Sequence, residues 1–415
     1  MKTKLLLVLL VASFITISAQ TTVNTSMGAN YANMVYYKLN TQTETTFPAN
    51  SWDMAFLRTS FQDIGIRTND HNGIDVFEAS NNTADWTNIN IANESNWTQL
   101  RNSYTAWNNG ALDQGSATYG WGEYNPTTHH VTGSVIFVLK YSNGDYVKFI
   151  NQDFYGGYTF KYAKWDTTNS VWLADQTVTI PNTNNPNNTY NYFSFQNDNE
   201  VVAEPGTTNW DFVFTKYAKD YNGDGTVYYP VTGVLHNNNI QVAENLNEAD
   251  GDPLPALSSL TFSDEINTIG DDWKHYDNGY TVDNETRFYV KYESGTIYRM
   301  WFTSFTGSST GDLTFQFEDV TTALDIKDVS ADFSFGMHPN PSTTKQVTIV
   351  YQVNNTSDNS IQIYNINGQQ VYTKQLTNTN GFFNQNLDLS NLSNGVYLVK
   401  IKSDNNTISK KLILN

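Results

Sequence analysis

From Ser134 to Ile150, apolar and polar residues alternate on both sides of Ser142-Asn143-Gly144-Asp145. That pattern predicts two strands joined at an Asn-Gly turn, where positive φ is tolerated. The arrangement returns around Glu293-Ser294-Gly295-Thr296. Trp52-Asp53-Met54-Ala55-Phe56 spaces its apolar side chains for one or both faces of a strand. No window sustains the 3.6-residue apolar period of a long helix, and Asn93–Tyr104 is expected to hold at most a short one. After Phe335, short alternating runs are punctuated at Pro339-Asn340-Pro341, Asn367-Gly368, Asn394-Gly395 and Asp404-Asn405-Asn406. These runs predict a small antiparallel sandwich. The expected fold class is therefore all-β.

Comparing the chain with itself reveals a duplication. Trp52-Asp53-Met54-Ala55-Phe56 matches Trp210-Asp211-Phe212-Val213-Phe214 at an offset of 158, which also pairs Val35 with Phe193 and Tyr37 with Phe195. Trp121 and Tyr124 match Trp273 and Tyr276 at an offset of 152. Phe137, Tyr141 and Gly144 match Phe288, Tyr292 and Gly295 at an offset of 151. The order is kept and the drift is what loop insertions produce. Two tandem modules are expected at 20–182 and 185–322, with the Asn/Pro-rich stretch Asn184–Asn191 between them. A linker at 323–335 and a terminal domain at 336–415 follow.

Composition narrows the function classes. The 415 residues carry a net charge of −18. That charge is wrong for phosphate-backbone binding or electrostatic docking on an anionic membrane. The chain has no cysteine, which excludes disulfides, thiolate metal sites and cysteine nucleophiles. The N-terminus begins with Lys2 and Lys4, continues with an apolar run from Leu5 to Ile17, and ends in Ser18-Ala19 before Gln20. It reads as a signal peptide, 1–19, too short in its apolar run to span a membrane. No later segment is apolar enough to do so. The mature chain is expected to be exported.

The last segment resembles the type A sorting domain of the type IX secretion system. The residues that carry the resemblance are Pro339-Asn340-Pro341, Ile361 and Ile363 before Asn367-Gly368-Gln369, Leu387-Asp388-Leu389 to Leu392, Gly395-Val396-Tyr397-Leu398-Val399, and Lys410-Lys411-Leu412-Ile413. His338 stands where a Tyr is usual. The resemblance implies a small Ig-like sandwich, the type IX secretion machinery as a partner, and a secreted or cell-surface location. The two modules resemble the HmuY-type haemophores through Ser51-Trp52-Asp53-Met54-Ala55-Phe56, Ile66-Arg67-Thr68-Asn69, and the Phe137–Phe149 hairpin with Gly144 and Lys148. The second copy keeps Trp210-Asp211, Tyr292 and Gly295 but has no Ile-Arg-Thr-Asn run. This resemblance implies haem as a ligand.

Haem iron takes two side chains, usually His or Met, facing each other across an apolar slot. His71 with His129 or His130 is the candidate pair of the first copy, and His236 with His275 is that of the second. Asp220-x-Asn222-x-Asp224-Gly225 is the first half of a calcium-loop pattern; its twelfth position, where a bidentate acid is expected, is Val231. The chain contains no HExxH, no GxSxG and no phosphate-cradling glycine loop, and a non-enzyme is expected. The six tryptophans Trp86, Trp97, Trp107, Trp121, Trp165 and Trp172 fall in one module. Not all of them need be core, and an exposed indole, with its apolar face and polar edge, can stack on sugars or pack at protein contacts. The expected functions are haem capture or, as the alternative, surface adhesion or glycan binding.

Overall fold

The computed structural model describes residues 20–58, 64–327, 333–353, 358–377, 380–403 and 406–415. The expected signal peptide, residues 328–332 of the expected linker and the first two residues of the turn at 404–406 lie outside them. Two compact units emerge, one formed mainly by residues up to Val320 and one by the C-terminal part.

Eighteen strands of the first unit form two sets of nine that correspond one to one. The first set is β1 (Thr21–Ser26), β2 (Asn33–Lys38), β3 (Thr43–Pro48), β4 (Met54–Leu57), β5 (Ile66–Thr68), β6 (Asp75–Ser80), β7 (Ile136–Lys140), β8 (Tyr146–Phe154) and β9 (Gly157–Asp166). The second is β10 (Gln176–Pro181), β11 (Tyr190–Ser194), β12 (Asn199–Val201), β13 (Phe212–Asp220), β14 (Tyr228–His236), β15 (Ile240–Asn245), β16 (Arg287–Tyr292), β17 (Ile297–Phe305) and β18 (Asp312–Asp319). The correspondence reaches fine detail. Gly144 and Gly295 both have φ near +89° in the two hairpin turns, a conformation that glycine adopts without a Cβ clash. β8 and β17 both bulge at the same place, between Asn151 and Asp153 and between Phe302 and Ser304.

The strands do not pack as the sequence copies divide. One sandwich is continuous: the sheet β10-β9-β8-β7-β6 faces the sheet β12-β11-β4-β5. The other is assembled from both ends of the first unit: β1-β18-β17-β16-β15 faces β14-β13-β2-β3. The packing units are thus residues 54–201 on one side and 21–48 with 212–319 on the other, whereas the copies were placed at 20–182 and 185–322. Alternation decides which residues face the core but leaves the partner of an edge strand open. β2 therefore pairs with β13 rather than with its own β4. This pairing also moves the alignment by two: Tyr37 opposes Phe212 as Phe193 opposes Met54, so Tyr37 corresponds to Phe193 rather than to Phe195.

The repeated Trp-Asp pair acts as the clasp at each junction. Asp53 is fully buried, and its Oδ2 accepts the amide of Phe195 just past β11 at 2.6 Å. Asp211, equally buried, accepts the amide of Leu39 just past β2 at 2.7 Å and Lys38 Nζ at 2.6 Å. Burial pushes the Asp53 carboxyl upward.

In the continuous sandwich, Phe137, Leu139, Phe149, Phe160, Phe193 and Phe195 fill the space between the sheets. Ile136, Val138 and Ile150 lie on the outer face under Trp86 and Trp172, which explains the unbroken apolar run of β7, since a sheet covered on both faces has no polar side. The second sandwich holds a half-buried ionic network instead: Arg299 meets buried Glu248 at 2.8 Å and Glu318 at 2.6 Å. Of Asn93–Tyr104, where at most a short helix is expected, only 93–96 is helical, as the end of the 3-10 segment Ile91–Asn96, and a short strand Thr98–Leu100 follows.

The C-terminal unit contains a short helix α1 (Thr321–Lys327), then β19 (Phe333–His338), β20 (Gln346–Val353), β21 (Asn359–Asn365), β22 (Gln370–Leu376), β23 (Gly381–Asp388), β24 (Gly395–Ser403) and β25 (Asn406–Leu414). The sheets β19-β20-β23 and β22-β21-β24-β25 close over one core that includes Phe335, Ile349, Leu387, Ile363, Val399 and Leu412. Asn340 of the Pro-Asn-Pro motif stitches the domain's start to its last strand, donating to Lys411 O at 2.7 Å and accepting from Ile413 N at 2.9 Å.

Candidate functional site

The junction of the two sandwiches has its own aromatic core, in which Tyr36, Trp52, Tyr190, Tyr192 and Trp210 are all buried. Trp52 and Trp210 are counterparts, one in front of each Trp-Asp strand. Behind each sits a loop that leaves the neighbouring strand through an asparagine. Asn69 Nδ2 donates to Ala49 O at 2.7 Å and Trp52 O at 2.8 Å. Asn237 Nδ2 donates to Thr207 O at 2.7 Å and Trp210 O at 3.0 Å. With Met54 opposite Thr68 and Phe212 opposite His236, Ile66-Arg67-Thr68-Asn69 corresponds to Val234-Leu235-His236-Asn237. The second copy therefore has this segment in altered residues, although the sequence comparison found none. Asp70 and His71 correspond to Asn238 and Asn239.

Two related clefts result, and they differ in volume. The cleft at Trp52, Asn69, Asp70 and His71 is nearly filled, about 60 Å³. Asn102 donates to Asp70 at 2.8 Å. His71 is 4% exposed. Its Nε2 reaches Tyr31 O at 2.7 Å and its Nδ1 lies 3.1 Å from Thr215 Oγ1. The Lys216 amide donates to the same Nδ1 at 3.3 Å, so Nε2 carries the proton and donates to Tyr31. Burial pushes the His71 pKa down to about 4, and the ring is neutral at neutral pH.

The cleft at Trp210, Asn237, Asn238 and Asn239 is open, about 330 Å³. Tyr36, Tyr190, Tyr192 and Trp210 form its floor, and exposed Asn108, Asn238 and Asp264 form its rim. Trp107 forms a wall and is fixed by its indole N–H, which donates to His236 O at 2.8 Å. Glu204 is 3% exposed and accepts the Tyr190 amide at 2.8 Å. Burial raises its carboxyl to about 8, so at neutral pH it is mostly protonated and able to donate. The Trp210 indole N–H is buried and meets no acceptor in the protein. Among the described residues, no Lys, Arg or His lines the cleft. Ring faces below and amides above suit a neutral ligand with many hydroxyls.

The histidines expected to pair do not converge. His129 and His130 belong to a surface cluster: His129 Nδ1 is 2.6 Å from Tyr124 Oη, and His130 bonds Asp153 at 2.8 Å and stacks on Tyr155 at 4.4 Å. They share no partner with His71. His236 is buried behind the open cleft, whereas His275 is exposed. In the expected calcium loop, Asp220 accepts the amides of Gly223 and Gly225 at 3.0 and 2.7 Å. Asp224 accepts the Thr226 amide at 3.0 Å, so these carboxylates cap their own turn, with exposed Asn222 between them. Among the described residues, no group of three or more His, Asp or Glu is placed to hold a metal ion. Glu204 and the Asn237–Asn239 run went unnoticed in the sequence. The signal that could have found the run is an asparagine closing a strand 27 residues after Trp210, where Asn69 follows Trp52 by 17.

Comparison with known proteins assigns one part of the chain. Residues 336–415 match the family described as the secretion system C-terminal sorting domain, and this part is a type IX sorting domain. No curated protein matches. Among solved structures, the chain is similar to a biofilm-associated protein's BSP domain at 10% identity, over 96% of this chain and 81% of that one, with a TM-score of 0.17. A likeness that distant carries no argument for fold or function. In the described residues no helix is long and apolar enough to cross a membrane.

Proposed function

We propose that this chain is an exported, non-enzymatic binding protein that takes a neutral, carbohydrate-like ligand in the open cleft between its sandwiches. The observation that carries the reading is the cleft's lining: aromatic rings, three successive asparagines and a mostly protonated Glu204, with no basic side chain. An anionic ligand would meet no basic side chain in that described lining, and the net charge of −18 would repel it further. Met1–Ala19 serves as the signal peptide for the first membrane, and the sorting domain addresses the chain across the second. The mature protein is then released or held at the surface.

Haem, which the haemophore resemblance implies, is the weaker candidate. Its propionates need basic or polar partners, and its iron needs free imidazole nitrogens. Both nitrogens of His71 are engaged, and His129 and His130 belong to a different cluster. Titration with a panel of neutral oligosaccharides, followed by tryptophan fluorescence, tests the proposal. A saturable change that Asn238→Ala and Asp264→Ala weaken supports it. No change with any sugar, together with a Soret shift on adding haemin, overturns it.

A further inference from the structure

A second feature lies on the continuous sandwich, away from the junction. Two shallow depressions of about 430 and 920 Å³ share Trp165 and Leu173 as their common wall. Trp165 and Leu173 line both depressions, which together make a candidate groove along this edge of the sandwich. We propose that this groove binds a strand of neutral polysaccharide, which would make the protein a two-site glycan binder.

The groove is built by elements that the second copy lacks. The strand Val171–Trp172 pairs with the end of β9, setting Trp172 opposite Trp165 with rings 5.0 Å apart and near-perpendicular. Trp172 is pinned by its indole N–H to Ile89 O at 2.7 Å. Behind it, Trp86 donates to both oxygens of Asp175 at 3.0 and 2.9 Å, with Lys161 4.2 Å over its face. The result is a stiff, partly exposed indole surface, and rigid rings lose little entropy when a ligand stacks on them. Leu173 next to it is 48% exposed, a large apolar side chain left in water at the groove's centre.

Hydrogen-bonding groups flank the rings on both sides. Asn88 and Asn90 are exposed at one end, and Asn143 and Gln196 at the other. The cations of the groove are already engaged: Lys148 is buried and donates to Trp86 O at 2.9 Å, and Lys164 meets Asp198 at 2.7 Å. An acidic polymer would gain nothing from them. A neutral chain can lay sugar faces on Trp165 and Leu173 and hydroxyls on the amides. A groove open along its length suits a polymer, where the junction cleft suits a short ligand or a chain end.

The test is native affinity electrophoresis of the full chain in gels containing soluble starch, xylan, galactomannan or mixed-linkage β-glucan. Retardation by at least one polymer is expected, with about tenfold weaker affinity in Trp165→Ala and a similar loss in Leu173→Asp, a charge placed in the groove's centre. Both variants should keep the wild-type melting temperature to within a few degrees and retain the oligosaccharide response of the junction cleft, which separates this proposal from the preceding one. Unchanged retardation in both variants, or no retardation of the wild type by any of the four polymers, overturns it.

Discussion

Asn69 and Asn237 do the same work in the two copies. Each is buried, and each spends its side-chain amide on two backbone carbonyls of the segment ending in its own copy's tryptophan, Ala49 O and Trp52 O or Thr207 O and Trp210 O. Alanine at 69 leaves both of its acceptors without that donor, and alanine at 237 does so for Trp210 O, since Thr207 O also accepts from Asn239 Nδ2 at 2.8 Å. Each substitution is expected to cost about 1–3 kcal/mol, read as a lower urea midpoint with the m-value unchanged. Asn→Asp, which also removes the donor, should cost at least as much.

The packing of β1–β3 against the far end of the unit has a distinct consequence. A chain beginning at residue 49 keeps every strand of the continuous sandwich and strips β2 and β3 from the second, along with the β1 edge that pairs Thr21–Ser26 with Asp312–Phe317. Hydrogen exchange of this truncated chain should show β16–β18 losing protection while β7–β9 keep theirs. Equal loss in both sandwiches would mean that they fold as the sequence copies divide.

Two buried groups give stability opposite pH trends. His71 has its pKa lowered to about 4 in the folded state, below its ordinary value near 6.5, so the unfolded chain binds the extra proton first. Its contribution is present above about pH 6.5 and is lost as pH falls through 4. Glu204 is raised to about 8, so the folded chain holds a proton that the unfolded chain releases. Its contribution is complete below the ordinary glutamate range and is lost as pH rises through 8. Denaturation midpoints across pH 4–9 should show His71→Asn, which copies Asn239, flattening the acid side. Glu204→Gln should flatten the alkaline side.

Much of this architecture was legible from residues alone. The aligned pairs Trp121/Trp273 and Gly144/Gly295 do hold equivalent places, because a buried indole and a left-handed turn tolerate few replacements. The terminal domain was legible because its turn signals and motifs occur in order from Pro339 to Ile413. The phase of the packing was not, because a strand such as β2 carries the same alternation whether it pairs with β4 or β13. The Asn237 segment was hidden because Leu235 and His236 replace Arg67 and Thr68 while the backbone register stays. The expected haem ligands were singled out by residue type, and in the fold their ring nitrogens meet Tyr31, Thr215, Tyr124 and Asp153 instead.

The central claim is that the ligand site lies where the two sandwiches meet and draws on both sequence copies. Hydrogen exchange of the full chain, with and without a saturating neutral oligosaccharide, tests it most directly. Slowed exchange is expected together at residues 105–108 from the first copy and at 204–210 and 237–239 from the second, with His71→Asn leaving the pattern intact. Protection confined to one copy, or centred on the loop that holds His129 and His130, would contradict it.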